Sequence, residues 1–457
     1  MFCRENIKTM NFKKAARIIC FIILLIMVKG SQSQNWLPLD KGIGKTWADI
    51  RQIFPDSNLL YVTGSFTEDG NNIPMRGIAK WDGIKWDSVG DANKYNATKF
   101  DLCKYNDTLI ISSNFMIPSH EHLAKFTGLI WDTIPNSRDL NTTCFLEKNG
   151  ILYFGGGFDK CGNDSTFGLG KFNGTTFSGL TPCYDTLSSQ IFSLAFFQDT
   201  LYVGGVFYLY PQLPIAGLAK WDGTNLLPVS SEFLNSTCGV FSMVVYQNEL
   251  FIGGGFQKSD GFTGNNIMRW DGHNFYEVGG GTNNTITSMK VYNNELYIGG
   301  RFTEVDDNPC QNIAKWNGSQ WTCLNNDVFD YFINVRDICI YKDELYVAGI
   351  FRKIGNDSIS SIAKYNHPLT SVTEYNKENA QLIVYPNPVT GNEFTISFPF
   401  TKSGTLQVIN VLGETVISNN IRNAAKFIIN VEALSKGCYI IKVQADNKCF
   451  AEKILKQ

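Results

Sequence analysis

Apolar and polar positions alternate along most of this chain, in short runs broken by Asn, Gly and Asp. "ITSMKVYNN", Ile286–Asn294, alternates and ends in a polar turn, and "ELYIGGRF", Glu295–Phe302, follows it. After a loop come "NIAKWNG", Asn312–Gly318, and "SQWTCL", Ser319–Leu324. Period-two runs rich in β-branched and aromatic residues, bounded by turn formers, predict strands. Four of them, called a, b, c and d, make one unit of roughly 48 residues.

The unit recurs. Strand b reads "LLYVTGSF" from Leu59, "TLIISSNF" from Thr108, "ILYFGGGF" from Ile151 and "TLYVGGVF" from Thr200. It reads "ELFIGGGF" from Glu249, "ELYIGGRF" from Glu295 and "ELYVAGIF" from Glu344. Seven copies at intervals of 43 to 49 residues predict a repeat architecture. At the c–d junctions, such as "WDGIKW" from Trp81 and "WNGSQW" from Trp316, Asp-Gly or Asn-Gly predicts two-residue type I′ turns. Four-stranded antiparallel units in series are propeller blades.

The ends of the series fit a closed ring. "NWLPLD", Asn35–Asp40, reads as a strand d with no a, b or c before it, and the seventh copy stops after "SIAKYN", Ser361–Asn366. The first strand is expected to complete the last blade and so remove two bare sheet edges. The paired glycines ending strand b are expected to admit a neighbouring backbone or aromatic ring, and the following Phe to fill the space between blades. From about Gln381 the period is gone, and alternating runs predict a small antiparallel sandwich. The expected fold is therefore all-β: a seven-bladed β-propeller followed by a small C-terminal β-sandwich.

The net charge of −2 over 457 residues gives no electrostatic case for nucleic acid or an anionic membrane as partner. Lys13, Lys14 and Arg17 precede an apolar run, Ile18–Val28, and the small residues Ser31–Ser33. That is the pattern of a secretory signal peptide over 1–33, and no other run is long and apolar enough for a transmembrane helix. The domain plan expected is signal peptide 1–33, propeller 34–367, linker 368–380 and C-terminal domain 381–457.

Export makes disulfides plausible. Cys310 and Cys161 each lie before a strand c, Cys323 in a strand d and Cys183 after one. Two intra-blade bridges, Cys310–Cys323 and Cys161–Cys183, are expected, each tying a b–c loop to the outer strand. The alternative is that these four are thiols packed as small apolar residues. Cys103, Cys144 and Cys339 fall in strands a and are expected as thiols, and Cys438 and Cys449 fit their hairpin register poorly. No C-x-x-C cluster is present, so neither a metal site nor a cofactor is expected.

The order a-b-c-d, with paired glycines ending strand b and a Trp in strand d, resembles the kelch and galactose-oxidase group of propellers over about Asn35 to Asn366. The resemblance concerns fold. The copper enzymes of that group need a Tyr–Cys crosslink with His ligands, and His120, His122, His273 and His367 form no such set. Blade two also departs, with Ser112 and Ser113 in place of the glycines. The last 75 or so residues resemble the C-terminal sorting domain of the bacterial type IX secretion system. The shared features are Tyr385-Pro386-Asn387-Pro388, Leu412-Gly413, Gly437 followed by Tyr439, and the basic tail Lys453 to Lys456. That resemblance implies handling by the type IX machinery, export across the outer membrane, and release or attachment to surface lipopolysaccharide.

Strand c carries a cation in every blade: Lys80, Lys125, Lys171, Lys220, Arg269, Lys315 and Lys364. A repeat unit gives this whether or not a polyanion binds, so local pairing is the expected role. The b–c and d–a loops are longer and more variable than the a–b and c–d turns, and variable loops on a rigid scaffold carry binding. Candidate binding residues on that face are the aromatics Tyr208, Tyr210, Phe329 and Tyr331 and the acidic pair Asp306 and Asp307, which lack the spaced ligands of a calcium loop. No nucleophile-base-orienter set is evident. The expected function is a secreted or cell-surface binding module for glycan or protein. The alternatives are a polysaccharide lyase or hydrolase using the same face, and a structural surface protein.

Overall fold

A computed structural model describes residues 36–44, 48–90, 101–112, 121–182, 190–208, 215–231, 238–324, 334–354, 357–358, 361–365, 383–397, 404–410, 415–421, 426–445 and 448–456. The signal segment 1–33 and the linker 368–380 lie outside these residues, as do Tyr210, Phe329, Tyr331, Cys183 and Gly413. The chain divides into two compact units, Met1–Thr370 and Ser371–Gln457.

In the first unit the described residues form seven four-stranded antiparallel sheets. The first comprises Asp49–Asp56, Leu59–Ser65, Ile78–Trp81 and Trp86–Ser88, paired in that order. The sixth comprises Ile286–Tyr292, Glu295–Gly300, Ile313–Trp316 and Trp321–Cys323. In the seventh, Asn334–Tyr341, Glu344–Ile350 and Ile362–Tyr365 are completed by Trp36–Pro38, with Trp36 opposite Tyr365 and Pro38 opposite Ala363. Strands a of successive sheets touch, and strand a of the first sheet touches that of the seventh, so the sheets close into a propeller ring around strands a.

The paired glycines have two different jobs. A Cβ on Gly300 would lie 2.1 Å from the carbonyl oxygen of Thr285, and one on Gly254 2.0 Å from that of Gly239. In each case strand a carries a β-bulge there, between Ile286 and Ser288 and between Val240 and Ser242, which pushes its backbone against strand b. The other glycine of each pair admits a side chain from the next sheet: a Cβ on Gly299 would meet Val335 Cγ1 at 2.6 Å, and one on Gly204 would meet Val240 Cγ1 at 2.6 Å. That visitor is aliphatic, not the aromatic ring expected. The phenylalanines that follow, such as Phe302 and Phe256, are buried.

The turn chemistry also differs from expectation. The two-residue turns with both central residues at positive φ are the a–b turns, for example Asn293 (φ 48°) and Asn294 (φ 57°) between the paired Tyr292 and Glu295. The c–d loops span four residues, with Trp316 opposite Trp321, and only the glycine has positive φ. Asn317 Oδ1 accepts the N–H groups of Ser319 and Gln320, so the side chain substitutes for part of the turn's backbone bonding.

Cys310 and Cys323 form a disulfide with Cα atoms 5.5 Å apart. The second expected bridge is not formed: Cys161 is a free thiol, buried against Phe154, Phe172 and Phe177. The register explains the difference. Cys323 stands opposite Ala314, whereas the equivalent place in the third sheet, opposite Gly170, is Gly179. A Cβ at Gly179 would already press on Thr166 at 2.8 Å. Cys103, Cys144 and Cys339 are free thiols on strands a, and burial raises all three above the usual thiol range.

The second unit packs a three-stranded sheet (Ile383–Tyr385, Glu393–Ser397, Lys426–Asn430) over a four-stranded one (Thr415–Ile421, Gly404–Asn410, Gly437–Ala445, Lys448–Lys456). Its core includes Phe394, Ile396, Leu406, Val408, Ile429, Ile441 and Val443. Polar and apolar positions alternate along Glu393–Ser397 and Gly404–Asn410, which is why one face of each sheet is buried.

Candidate functional site

Strand a starts beside the end of strand b, so the bulges stand on the face that carries the b–c and d–a loops. The bulged residues occupy one equivalent position around the ring: Arg51, Thr143, Phe192, Phe241, Thr287 and Arg336 in the first, third, fourth, fifth, sixth and seventh sheets. The six residues divide by chemistry. Phe192 and Phe241 are half-buried, with ring centroids 5.4 Å apart. Arg336 donates from Nε and Nη2 to the two carboxylate oxygens of Asp49 at 3.1 and 3.2 Å, and Arg51 Nη2 lies 3.8 Å from the same carboxylate. In a ring of seven sheets, the fourth and fifth stand across the axis from the first and seventh. An aromatic wall therefore faces two guanidinium groups that share one carboxylate.

Thr143 and Thr287 hydroxyls donate to carbonyls of the next sheet, at Ile191 and Val335. Their chemistry is spent on holding neighbours together.

One residue deeper lies a second ring: Gln52, Asp101, Cys144, Ser193, Ser242, Ser288 and Asp337. Asp337 accepts from Ile53 N–H, Ser288 Oγ and Ile338 N–H at 2.8–2.9 Å, yet burial still raises its pKa. Asp101 is pushed up to about 8 by desolvation and by the nearby Asp337, against a smaller opposing pull from Arg51. Its carboxyl is therefore largely protonated at neutral pH.

Of the candidates named from sequence, Tyr208 ends strand b of the fourth sheet. Asp306 (φ 54°) and Asp307 (φ 58°) form the tip of a hairpin between Glu304–Val305 and Asn308–Pro309. Asp306 Oδ1 accepts Gly280 N–H at 2.7 Å, tying that hairpin to the preceding d–a loop. The described residues hold no cluster of metal-binding side chains. The strand-c cations pair locally in five sheets: Lys80 with Asp87, Lys125 with Asp132, Arg269 with Glu249, Lys315 with Glu295 and Lys364 with Glu344.

The bulged set was not singled out from sequence, although a signal was present. At one position of an otherwise regular repeat, residue type switches between Arg, Thr and Phe. A position that packing alone dictated would keep one chemistry.

In the second unit the motif residues meet around the last strand. Asn387 Nδ2 donates to Lys453 O at 2.7 Å, and Asn387 Oδ1 accepts Leu455 N–H at 3.1 Å. Tyr385, Pro386 and Pro388 are exposed on either side. Gly437 opens a strand, and Tyr439 Oη donates to Ser435 O at 2.9 Å. Lys456 is buried, its ammonium donating to the carbonyls of Val431, Glu432 and Leu434, while Lys453 is exposed.

Residues 383–457 match the family model described as the secretion system C-terminal sorting domain. The protein is accordingly secreted through the type IX system. Among the described residues no helix is long and apolar enough to cross a membrane. An ulvan lyase of Nonlabens ulvanivorans is 33% identical over 87 residues, which is 19% of this chain and 16% of that protein. The β-propeller domain of the Trilobed protease from Pyrococcus furiosus aligns with 72% of this chain and 100% of its own, at 11% identity and a TM-score of 0.44. The extracellular domain of a hybrid two-component system from B. thetaiotaomicron aligns with 90% of this chain and 56% of its own, at 11% identity and a TM-score of 0.48.

Proposed function

We propose that this is a secreted or cell-surface binding module whose kelch-type, seven-bladed propeller, residues 34–367, recognises a glycan on its b–c and d–a loop face. In this plan residues 1–33 are the signal peptide, 368–380 the linker and 381–457 the sorting domain. The observation that carries the proposal is the opposition of Phe192 and Phe241 to Arg51, Arg336 and Asp49 around the axis. Aromatic faces take the apolar face of a sugar ring, while guanidinium and carboxylate groups address its hydroxyls. Few polar groups placed against an apolar wall make the usual composition of a small-ligand site. By sequence, Tyr208, Tyr210, Phe329 and Tyr331 belong to the b–c and d–a connections, and in this proposal they extend the same surface.

A second reading has one observation in its favour. Asp101, protonated near neutrality beside Asp337, has the character of a general acid, which a polysaccharide-cleaving enzyme would use. The 87-residue likeness to a lyase is compatible with both readings and chooses neither. A glycan array probed with the whole protein, run beside turnover assays on the glycans that bind, separates them. Binding without turnover supports the binding module. Turnover abolished by Asp101→Asn supports the enzyme, and no binding to any glycan removes both.

A further inference from the structure

The hairpin face, at the other end of the strands, carries a break in a repeated ion pair. In the fifth, sixth and seventh sheets the first residue of strand b is a glutamate that holds the cation of strand c. Arg269 Nη1 reaches both oxygens of Glu249, and Lys315 and Lys364 reach Glu295 and Glu344 at 2.9 Å each. In the first and second sheets the cation turns to strand d instead, where Asp87 stands opposite Lys80 and Asp132 opposite Lys125. The third and fourth sheets have neither partner: Ile151 and Ser178 take those places in the third, and the fourth differs in opening onto a cleft. In the fourth the places are taken as follows. Thr200 replaces the glutamate, Leu227 stands opposite Lys220 where the aspartate would be, and Lys220 has no hydrogen bond or ion pair among the described residues. The two replacements sit in the wall of a cleft of about 440 Å³, lined also by Asp199, Trp221 and Asp222.

We propose that this cleft binds the carboxylate of a uronic-acid sugar, which takes beside Lys220 the place that Glu249 takes beside Arg269. The flanking groups select the ligand class. Asp222 Oδ1 is occupied by Thr224 N–H and Asn225 N–H at 2.8 and 2.7 Å, and these bonds lower its pKa and keep it ionised. Asp199 Oδ1 lies 3.1 Å from Lys148. The Oδ2 atoms of both aspartates are left to accept sugar hydroxyls. The ammonium takes one carboxylate and the two aspartates take hydroxyl donors, which a uronate ring carries beside its carboxylate and a glutamate side chain lacks. Leu227 and the indole of Trp221, whose Nε1–H is committed to Leu180 O at 3.1 Å, supply an apolar wall.

The test is calorimetric titration of the full chain with an oligogalacturonate, its methyl ester, and hexaglutamate. Thr200→Glu installs the carboxylate that the next three sheets already carry, so loss of folding cannot imitate its effect. Thr200→Glu and Lys220→Met are expected to weaken oligogalacturonate binding roughly tenfold or more, the worth of one charge-assisted hydrogen bond. The methyl ester and hexaglutamate are expected not to bind. Lys171→Met, at the equivalent cation of the third sheet, is expected to leave the affinity unchanged. No oligogalacturonate binding, equal binding of the methyl ester, tighter binding of hexaglutamate, or indifference to Thr200→Glu would each overturn the proposal.

Discussion

The carboxylate of Asp337 accepts the backbone N–H of Ile53 at 2.9 Å, across 284 positions of sequence. This bond joins the last sheet to the first at the inner strands, and the same relation recurs elsewhere in the ring. Ser242 Oγ accepts Met289 N–H, Ser288 Oγ accepts Ile338 N–H, and Gln52 Oε1 accepts Leu102 N–H. Each of these four side chains caps a backbone donor on the axial edge of the following strand a, a donor that sheet pairing cannot reach. Arg336 with Asp49, and Ser361 Oγ donating to Ala48 O, add to the closure between seventh and first sheets. The ring is closed at its inner strands by side chains and at the outer strand of the seventh sheet by Trp36–Pro38.

Outer closure rests on Trp36, which is fully buried and meets Tyr365 edge-on with centroids 4.9 Å apart. Trp36→Ala is expected to destabilise the whole propeller by about 3–5 kcal/mol, because the cavity weakens the strand that covers the edge of the seventh sheet. Denaturant unfolding followed by tryptophan fluorescence and by circular dichroism checks this. A variant that melts with the parent shows that the first strand does not hold the ring.

The inner ring makes stability depend on pH. Asp101 is raised to about 8 when folded and reverts to an ordinary carboxyl, about 4, when unfolded. Between those values the folded state binds the extra proton, so this group's contribution is complete below about pH 4 and is lost as pH rises through about 8. Asp101→Asn is expected to flatten the pH profile and to leave the protein more stable than the parent above pH 8. Unfolding curves from acid to alkaline pH test the sign, and a parent profile parallel to that of the variant contradicts it.

Strand order and ring closure were legible because a 43–49-residue period repeats chemistry that is easy to see, such as the Trp-Asp-Gly junction and the glycine pair. The inner site was not. Its residues sit at a bulge, where one extra residue shifts the alternation, so Arg51, Phe192 and Phe241 fall out of step with the apolar pattern on either side. The turn assignment failed for a related reason. Asn317 and Asp82 precede glycine as in a two-residue turn, but each bonds the N–H groups two and three residues on through its side chain and so builds a longer loop. The two cysteine pairs looked alike in spacing, yet only the register of strand d decides which can bridge.

Non-reduced peptide mapping is expected to recover Cys310 and Cys323 cross-linked and Cys161 as a thiol that alkylates only after unfolding. The bridge closes a span of 13 residues, for which chain entropy gives about 3 kcal/mol, and Cys323→Ser is expected to cost about that much. A cross-linked Cys161, or a Cys323→Ser variant as stable as the parent, runs against the register argument.

The most direct measurement is the glycan affinity of a Phe192→Ala, Phe241→Ala double variant beside that of the parent, on the best glycan from the array. Stacking of a ring on an aromatic side chain is worth about 1–3 kcal/mol, so losing two such side chains is expected to weaken binding by about thirtyfold or more. Its melting transition should still be cooperative, since both rings are only half-buried. A folded double variant that binds the glycan as tightly as the parent would contradict the assignment of the loop face as the binding site.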